Sequence, residues 1–356
     1  DSVASRGLGD VYKRQTWTRC WAATWMTCSR PSTTRSALSV LKPSSPTPAE
    51  NSSPTLPDSV RTLGELFRYA RRTLDDAALA SPDADARALI AAAINAGPAD
   101  IIFRGDEPYT DEDGRKYLAE VLARRVAREP LQHILGTAPM MSLELQVGPG
   151  VFVPRPETEL LAQWAIDRAR ELVASGVVKP KIVDLCTGSG ALALAIADAV
   201  PEADVVAVEL SERARAWAAK NIETYGDGRV RLIAGDVTDI QLIDAGGELA
   251  DWVDETDIVV SNPPYVPEDT EVAPEVRADP HSAVFGGDDG LDVIRPMMNL
   301  VDALVRSGGV IGIEHDDSSG DDVSSLLKDT WDYADVEVRR DFAGRDRFTV
   351  GRKNSS

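Results

Sequence analysis

Between Lys181 and His315 short apolar runs alternate with amphipathic helical stretches, and this alternation limits the possible folds more than any other feature of the chain. Candidate strands fall at 181–186, 204–210, 230–236, 257–261 and 309–315. Helices are expected at 191–199 and, behind a Ser211 cap, at 212–224. Strands that are apolar along their whole length, each followed by a helix, must be buried on both faces. That requires an α/β fold, a parallel sheet with helices on either side. The end of the chain breaks the pattern: "VEVRRD" and "RFTVGRK" flank a tight "FAGRD" turn and should form an antiparallel pair at the sheet edge.

The region before the alternation is helical. Leu63, Leu66, Phe67, Ala70 and Leu74 share one helix face. Ser81-Pro82 reads as a helix start, with Gly97 closing that helix. Thr110 with Asp113 resembles a capping box ahead of Tyr117, Leu118, Val121 and Leu122. A small helical bundle is therefore expected over 58–129, with Arg71, Arg72, Arg124, Arg125 and Arg128 on solvated faces. Leu143, Leu145 and Val147 alternate with polar residues, "GPG" follows, and Val151 and Val153 resume, predicting a β-hairpin in a linker over 130–156. An amphipathic helix with Leu160, Leu161 and Trp164 follows Pro156.

Residues 1–57 look different. They are rich in Ser, Thr and Pro, lack periodicity, and begin without Met. They read as a disordered or non-native extension, with an organellar transit peptide as the alternative. Their seven Lys/Arg against three acids give about +4, so a net charge of −20 leaves about −24 on the remainder. A body so acidic gains nothing from phosphate backbones, which disfavours direct nucleic-acid binding. No run is long and apolar enough to suggest a membrane span. Cys20, Cys28 and Cys186 form no disulfide framework, and His133, His281 and His315 have no metal-ligand spacing.

Four stretches carry chemistry. In "VDLCTGSGALAL" a strand ends in a Gly-rich turn and a helix begins, without the G-x-G-x-x-G spacing of a dinucleotide site. Asp184 beside that turn suits a ligand with a cationic amine better than a pyrophosphate. Glu209 closes the second strand, where an acid can accept both hydroxyls of a ribose, and Asp236 closes the third, placed to accept from an adenine amino group. The fourth is Asn262-Pro263-Pro264-Tyr265, after the fourth strand. Each proline keeps the residue before it extended. The result is a stiff platform presenting the Asn262 side-chain carbonyl and the Pro263 main-chain carbonyl. Two such acceptors match the two N–H donors of a planar –NH2 group, and Tyr265 would cover its flat face. The lone pair of such a nitrogen is delocalised, so methyl transfer to it depends on position. An amide and an adenine amine fit this platform equally well.

In order, "FVPRPETELL", "VDLCTGSGALALAIA", "VVAVELS", "VVSNPPYVPE", "EVAPEV", "FGGDDGLDVIR" and "GVIGIEH" resemble the protein-(glutamine-N5) methyltransferase family that modifies peptide-chain release factors. "EPLQHILG" is similar to that family's interdomain segment, and the likeness spans about 60–352. It implies a Rossmann-like, seven-stranded methyltransferase domain over 157–356 with an antiparallel last strand, behind a substrate-docking helical domain. It also implies S-adenosylmethionine as donor, S-adenosylhomocysteine as product, and the glutamine of a Gly-Gly-Gln motif as acceptor. Carried onto this chain, the donor residues are Asp184, Thr187, Gly188, Ser189, Gly190, Glu209, Asp236 and Asn262. Asn262, Pro263, Pro264 and Tyr265 match the amide-binding motif, with Asn262, Pro263 and Tyr265 nearest the chemistry. Arg155 and Glu157 fall on the acceptor side. Cys186 stands where the family's first loop glycine is usual. A monomer in a bacterial cytoplasm is expected, or an organelle if 1–57 is a transit peptide. The alternative is an adenine-N6 methyltransferase acting on DNA or RNA.

Overall fold

The computed structural model of the protein describes residues 55–355, so the extension read over 1–57 lies outside the described residues except for its last three. The chain divides into two compact units at Leu135/Gly136.

The first unit is helical: α1 (Leu63–Asp76), α2 (Pro82–Ala93), the single turn α3 (Asp100–Phe103), α4 (Glu112–Val126) and α5 (Leu131–Leu135). Leu63, Leu66, Ala70 and Leu74 of α1 are buried, as their spacing predicts, against Leu89, Ile90, Leu118 and Leu122. A capping box starts α1: Thr62 and Glu65 each accept a hydrogen bond from the other's backbone N–H. Three local expectations change. Helix α2 ends at Ala93, short of Gly97, because Asn95 turns into the left-handed region at φ 50°. Helix α4 is capped by Asp111, whose carboxylate accepts from Asp113 N, and not by Thr110. Tyr117 is exposed, while Leu118, Val121 and Leu122 are buried. Arg125 is no solvated arginine either: it is buried, donating to Asp85 Oδ2 at 2.7 Å. Arg128 donates to the carbonyls of Ala77 and Ala78.

The second unit opens with a hairpin of β1 (Thr137–Met140) and β2 (Leu143–Gln146). The hairpin therefore turns at Met141-Ser142, not at "GPG" as the alternation suggested. Pro139 disguises β1 as a non-strand, and Met141 makes the turn at φ 52° without a Gly or Asn signal. Val147, Val151 and Val153 are buried beside Ala214 and Trp217.

The remainder runs α6 (Thr158–Ala174), β3 (Lys181–Leu185), α7 (Ala191–Ala199), β4 (Asp204–Glu209), α8 (Glu212–Tyr225), β5 (Val230–Ala234), β6 (Thr256–Ser261), α9 (His281–Val284), α10 (Ile294–Leu304), β7 (Val305–Glu314), α11 (Gly320–Ser325), β8 (Tyr333–Arg340) and β9 (Asp346–Lys353). The seven-stranded sheet has the order β5-β4-β3-β6-β7-β9-β8. Strands β3 to β7 are parallel, and β9 enters antiparallel between β7 and β8. Alternate residues feed the two faces, as the two-residue period of a strand demands. Ile182, Val205, Ala207, Ile258 and Val260 pack with α6 and α7. Val183, Val206, Val208, Val259 and Ile311 pack with α10 on the other face. Among the described residues no helix is long and apolar enough to cross a membrane.

Candidate active site

Because β3 to β7 are parallel and in register, their carboxyl ends line one edge of the sheet. Leu185 sits beside Ser261, Glu209 beside Ala234, and Ser261 beside Ile313. The residues that end these strands or follow them directly are therefore neighbours, and ligands of open α/β sheets bind at this edge.

The Gly-rich turn after β3 is held from below. Asp184 is fully buried; its Oδ2 accepts from Thr187 Oγ1 at 2.5 Å and from Ala193 N at 3.0 Å. Burial raises its pKa to about 7 against those two bonds, and its Oδ1 is buried without a hydrogen-bond partner. Asp184 thus shapes the turn, and its influence on a ligand passes through the loop it fixes. Cys186, Gly188 and Gly190 have φ of 62°, 59° and 85°. This explains why glycine suits the Cys186 position, where an L side chain strains the backbone by about 1–2 kcal/mol. Burial pushes the Cys186 thiol pKa up, which suits packing and not nucleophilic attack. A Cβ at Gly188 would meet no atom within 4 Å, so the turn borders open space.

Glu209 reaches across to that turn: Oε2 accepts from Gly188 N and Oε1 from Ser211 N, both at 2.8 Å. Each oxygen keeps a second lone pair for a hydroxyl. Asp236, half-buried two residues beyond β5, spends Oδ1 on the backbone N–H and hydroxyl of Thr238. Ser189 is buried, and its carbonyl accepts from Asn221 Nδ2. Asn221 also exchanges two hydrogen bonds with the backbone of Gln146, tying β2 to the loop.

The turn after β6 is braced from two sides. Val266 N donates to Val284 O and Gly286 N to Val266 O. A Cβ on Gly286 would collide with the Pro264 carbonyl, and one on Gly290 with that of Tyr265. Gly286 and Gly290 of "FGGDDG" thus let that loop press on the backbone of Pro264 and Tyr265. Asn262 Nδ2 donates to Thr158 Oγ1 at 3.1 Å. Its Oδ1 and the Pro263 carbonyl take part in none of the hydrogen bonds formed among the described residues. Tyr265 does not lie free over the turn, because its hydroxyl is drawn inward to Glu314 Oε1.

Glu314, at the end of β7, is buried and its Oε2 has no hydrogen-bond partner. Desolvation raises its pKa to about 7, opposed by Arg347, Thr158 and Tyr265 and reinforced by Glu157. Arg347 donates weakly to the Tyr265 hydroxyl at 3.5 Å and pairs with Asp341 at 3.3 Å. The Arg155 guanidinium pairs with Asp279 at 2.5 Å and lies over the Phe152 ring. Thr158, Asn221, Asp279, Glu314 and Arg347 were not singled out from sequence. Glu314 could have been, since it ends a parallel strand as Asp184 and Glu209 do.

Residues 65–136 match the family described as the PrmC N-terminal domain, and 182–253 match one described as a methyltransferase domain. The chain is 50% identical to the release factor glutamine methyltransferase of Corynebacterium glutamicum, a similarity covering 82% of this chain and 99% of that relative. It is 46% identical to the protein of that name from Streptomyces coelicolor, over 82% of this chain and 98% of the relative. A solved protein-(glutamine-N5) methyltransferase (release factor-specific) from Alicyclobacillus acidocaldarius is 25% identical, covering 59% of this chain and 100% of that one, with a TM-score of 0.35. With half its residues shared along nearly the whole Corynebacterium relative, the chain belongs to the release factor glutamine methyltransferase family.

Proposed function

We propose that the chain transfers a methyl group from S-adenosylmethionine to the side-chain amide nitrogen (N5) of the glutamine in the Gly-Gly-Gln motif of peptide-chain release factors. Family membership supports the reaction. The observation that carries the site is the Asn262 side chain, whose Nδ2 is spent on Thr158 while its Oδ1 and the Pro263 carbonyl stay outside the hydrogen bonds of the described residues, two acceptors for one planar –NH2 group.

The residues at the Gly-rich turn fit the donor: open space stands over Gly188, Glu209 accepts from the Gly188 N–H, and Glu209 and Asp236 end or follow the neighbouring strands β4 and β5. Thr187, Gly188, Ser189 and Gly190 would line it, Glu209 would take the ribose hydroxyls and Asp236 the adenine side, with Asn262 between donor and acceptor. The donor supplies an electrophilic methyl group on a sulfonium, with a neutral thioether as leaving group. Asn262 and Pro263 hold both amide N–H bonds, turning the delocalised lone pair toward the methyl group; as the C–N bond forms the S–C bond breaks, and the nitrogen releases one of its two protons to solvent. Their fixed dipoles need no reorganisation as charge develops on nitrogen. Pro264 and the glycine-braced backbone keep the two carbonyls still. Arg155 and Glu157 act on the acceptor side, Arg155 held by Asp279.

The helical unit, residues 58–129 with α5 behind it, docks the release factor. Its exposed Ile102 and Phe103, 63% and 84% accessible, provide an apolar contact. The net charge of −20 speaks against the adenine-N6 alternative on DNA or RNA. The test is incubation with methyl-labelled donor and either a purified release factor or nucleic acid. Label in the release factor alone is expected; label in nucleic acid would overturn the reading.

A further inference from the structure

Asparagine is a poor choice inside a helix, because its short amide competes with the backbone for hydrogen bonds. Asn221 nevertheless lies well inside α8 and is fully buried. Its Oδ1 accepts from Gln146 N at 2.8 Å, and its Nδ2 donates to the Gln146 carbonyl at 3.0 Å and to the Ser189 carbonyl at 2.9 Å. All of these partners are backbone groups, whose roles as donor or acceptor cannot switch, so the orientation of the amide is fixed. One acceptor and two donors at so short a reach is a set that asparagine offers and aspartate or leucine does not. The amide is fully committed and keeps nothing for a ligand.

The bonds to Gln146 belong to a strap between α8 and the segment that follows β1. One helical turn further on, the Tyr225 hydroxyl donates to the Glu144 carbonyl at 2.9 Å. One turn earlier, Trp217 Nε1 donates to the Pro149 carbonyl at 3.4 Å. The bond to Ser189 is of another kind, because its target is the Gly-rich turn. Ser189 sits between Gly188 and Gly190, whose φ of 59° and 85° leave the turn few conformational restraints of its own. In a regular helix start the Ser189 carbonyl would accept from Ala193 N, but Ala193 N donates to Asp184 Oδ2. Asn221 supplies the missing donor. Without it a buried carbonyl would lose its hydrogen bond, and the Ser189–Gly190 peptide could rotate.

We infer that Asn221 is a positioning residue for donor binding: it fixes the Ser189–Gly190 peptide, and so the shape that the Gly-rich turn offers to S-adenosylmethionine. Asp184 holds the same turn through Thr187 and Ala193, and Glu209 holds it through Gly188. Asn221 restrains the part those two acids do not reach. The inference rests on the proposed donor-binding role of this turn.

The test compares full-length Asn221→Leu with Tyr225→Phe. Leucine keeps the approximate shape and removes every bond of the amide; phenylalanine removes a strap bond from the same helix and leaves the turn alone. Donor Kd by calorimetry, at a temperature where both variants are folded, should rise about tenfold in Asn221→Leu and stay within twofold in Tyr225→Phe. Hydrogen exchange of a peptide spanning 187–190 should quicken in Asn221→Leu alone, with or without donor. An unchanged Kd in folded Asn221→Leu, or equal changes in the two variants, would overturn the inference. If Asn221→Leu does not fold, 15N spectra of the unchanged protein decide. The Asn221 side-chain amide should exchange slowly and shift when donor is added; fast exchange or no shift counts against the inference. If the unchanged protein binds no donor, the proposed donor site fails. The exchange at 187–190 then still judges Asn221, and identical rates in Asn221→Leu and the unchanged protein would overturn its hold on the turn.

Discussion

The Tyr265 hydroxyl donates to Glu314 Oε1 across 3.0 Å, joining the turn after β6 to the end of β7 behind the site. This bond turns Tyr265 from a loose cover into part of the wall. The ring stays half-buried at the turn while its polar end is anchored to a buried acid. Burial of the hydroxyl next to that acid pushes the Tyr265 pKa up, so it remains a hydrogen-bond donor and does not act as a base.

Asn262→Ala removes the side-chain acceptor and leaves the Gly-rich turn intact. Methyl transfer should fall by about a hundredfold or more. Donor affinity, measured by calorimetry, should stay within a few-fold. Loss of donor binding would mean that Asn262 holds the donor and not the amide.

Glu314 gives stability a definite pH dependence. Its pKa is raised from 4.5 to about 7 on folding, so between those values the folded protein binds more protons than the unfolded chain. The sign follows: this contribution is complete below about pH 4.5 and is lost as pH rises toward 7. Asp184, raised from 3.8 to about 7, acts in the same direction. Glu314→Gln removes one of the two. Its Tm relative to the unchanged protein should therefore be more favourable at pH 8 than at pH 5, as thermal scans at the two values would show.

Gly290→Ala should be costly although it lies outside the turn itself. Gly290 has φ 78°, and a Cβ there would collide with the Tyr265 carbonyl. Strain and overlap together amount to about 2–4 kcal/mol. A Tm lowered by several degrees is expected, together with a kcat loss larger than the loss of donor affinity.

Much of this arrangement is legible in the sequence, and the parts that are not have identifiable causes. Apolar strands alternating with helices are visible because burial on both faces leaves no polar residue to blur them. The rule that ligands bind where parallel strands end singles out Asp184, Glu209 and Asn262 as candidates. Strand β1 was missed because Pro139 mimics a loop and the Met141 turn carries no glycine. Arg125 looked solvated because its partner Asp85 lies 40 positions away, and no local pattern announces such a pair. Thr158 is hidden for the same reason: it looks ordinary in its own segment, and its partner Asn262 lies 104 positions beyond it.

If the helical unit docks the protein substrate, Phe103→Asp should raise KM for an intact release factor about tenfold and leave turnover of a short Gly-Gly-Gln peptide unchanged. Phe103 is 84% accessible, so the substitution should not unfold the unit. Steady-state kinetics with both substrates makes the comparison. Equal effects on the two would remove docking from this surface.

The most direct measurement is the position of the transferred methyl group. The protein is incubated with isotopically labelled S-adenosylmethionine and a purified release factor, and the product is digested and sequenced by mass spectrometry. One methyl on the side-chain nitrogen of the Gly-Gly-Gln glutamine is expected, absent when that glutamine is replaced. An unlabelled Gly-Gly-Gln peptide, or label at any other residue, would contradict the proposed function.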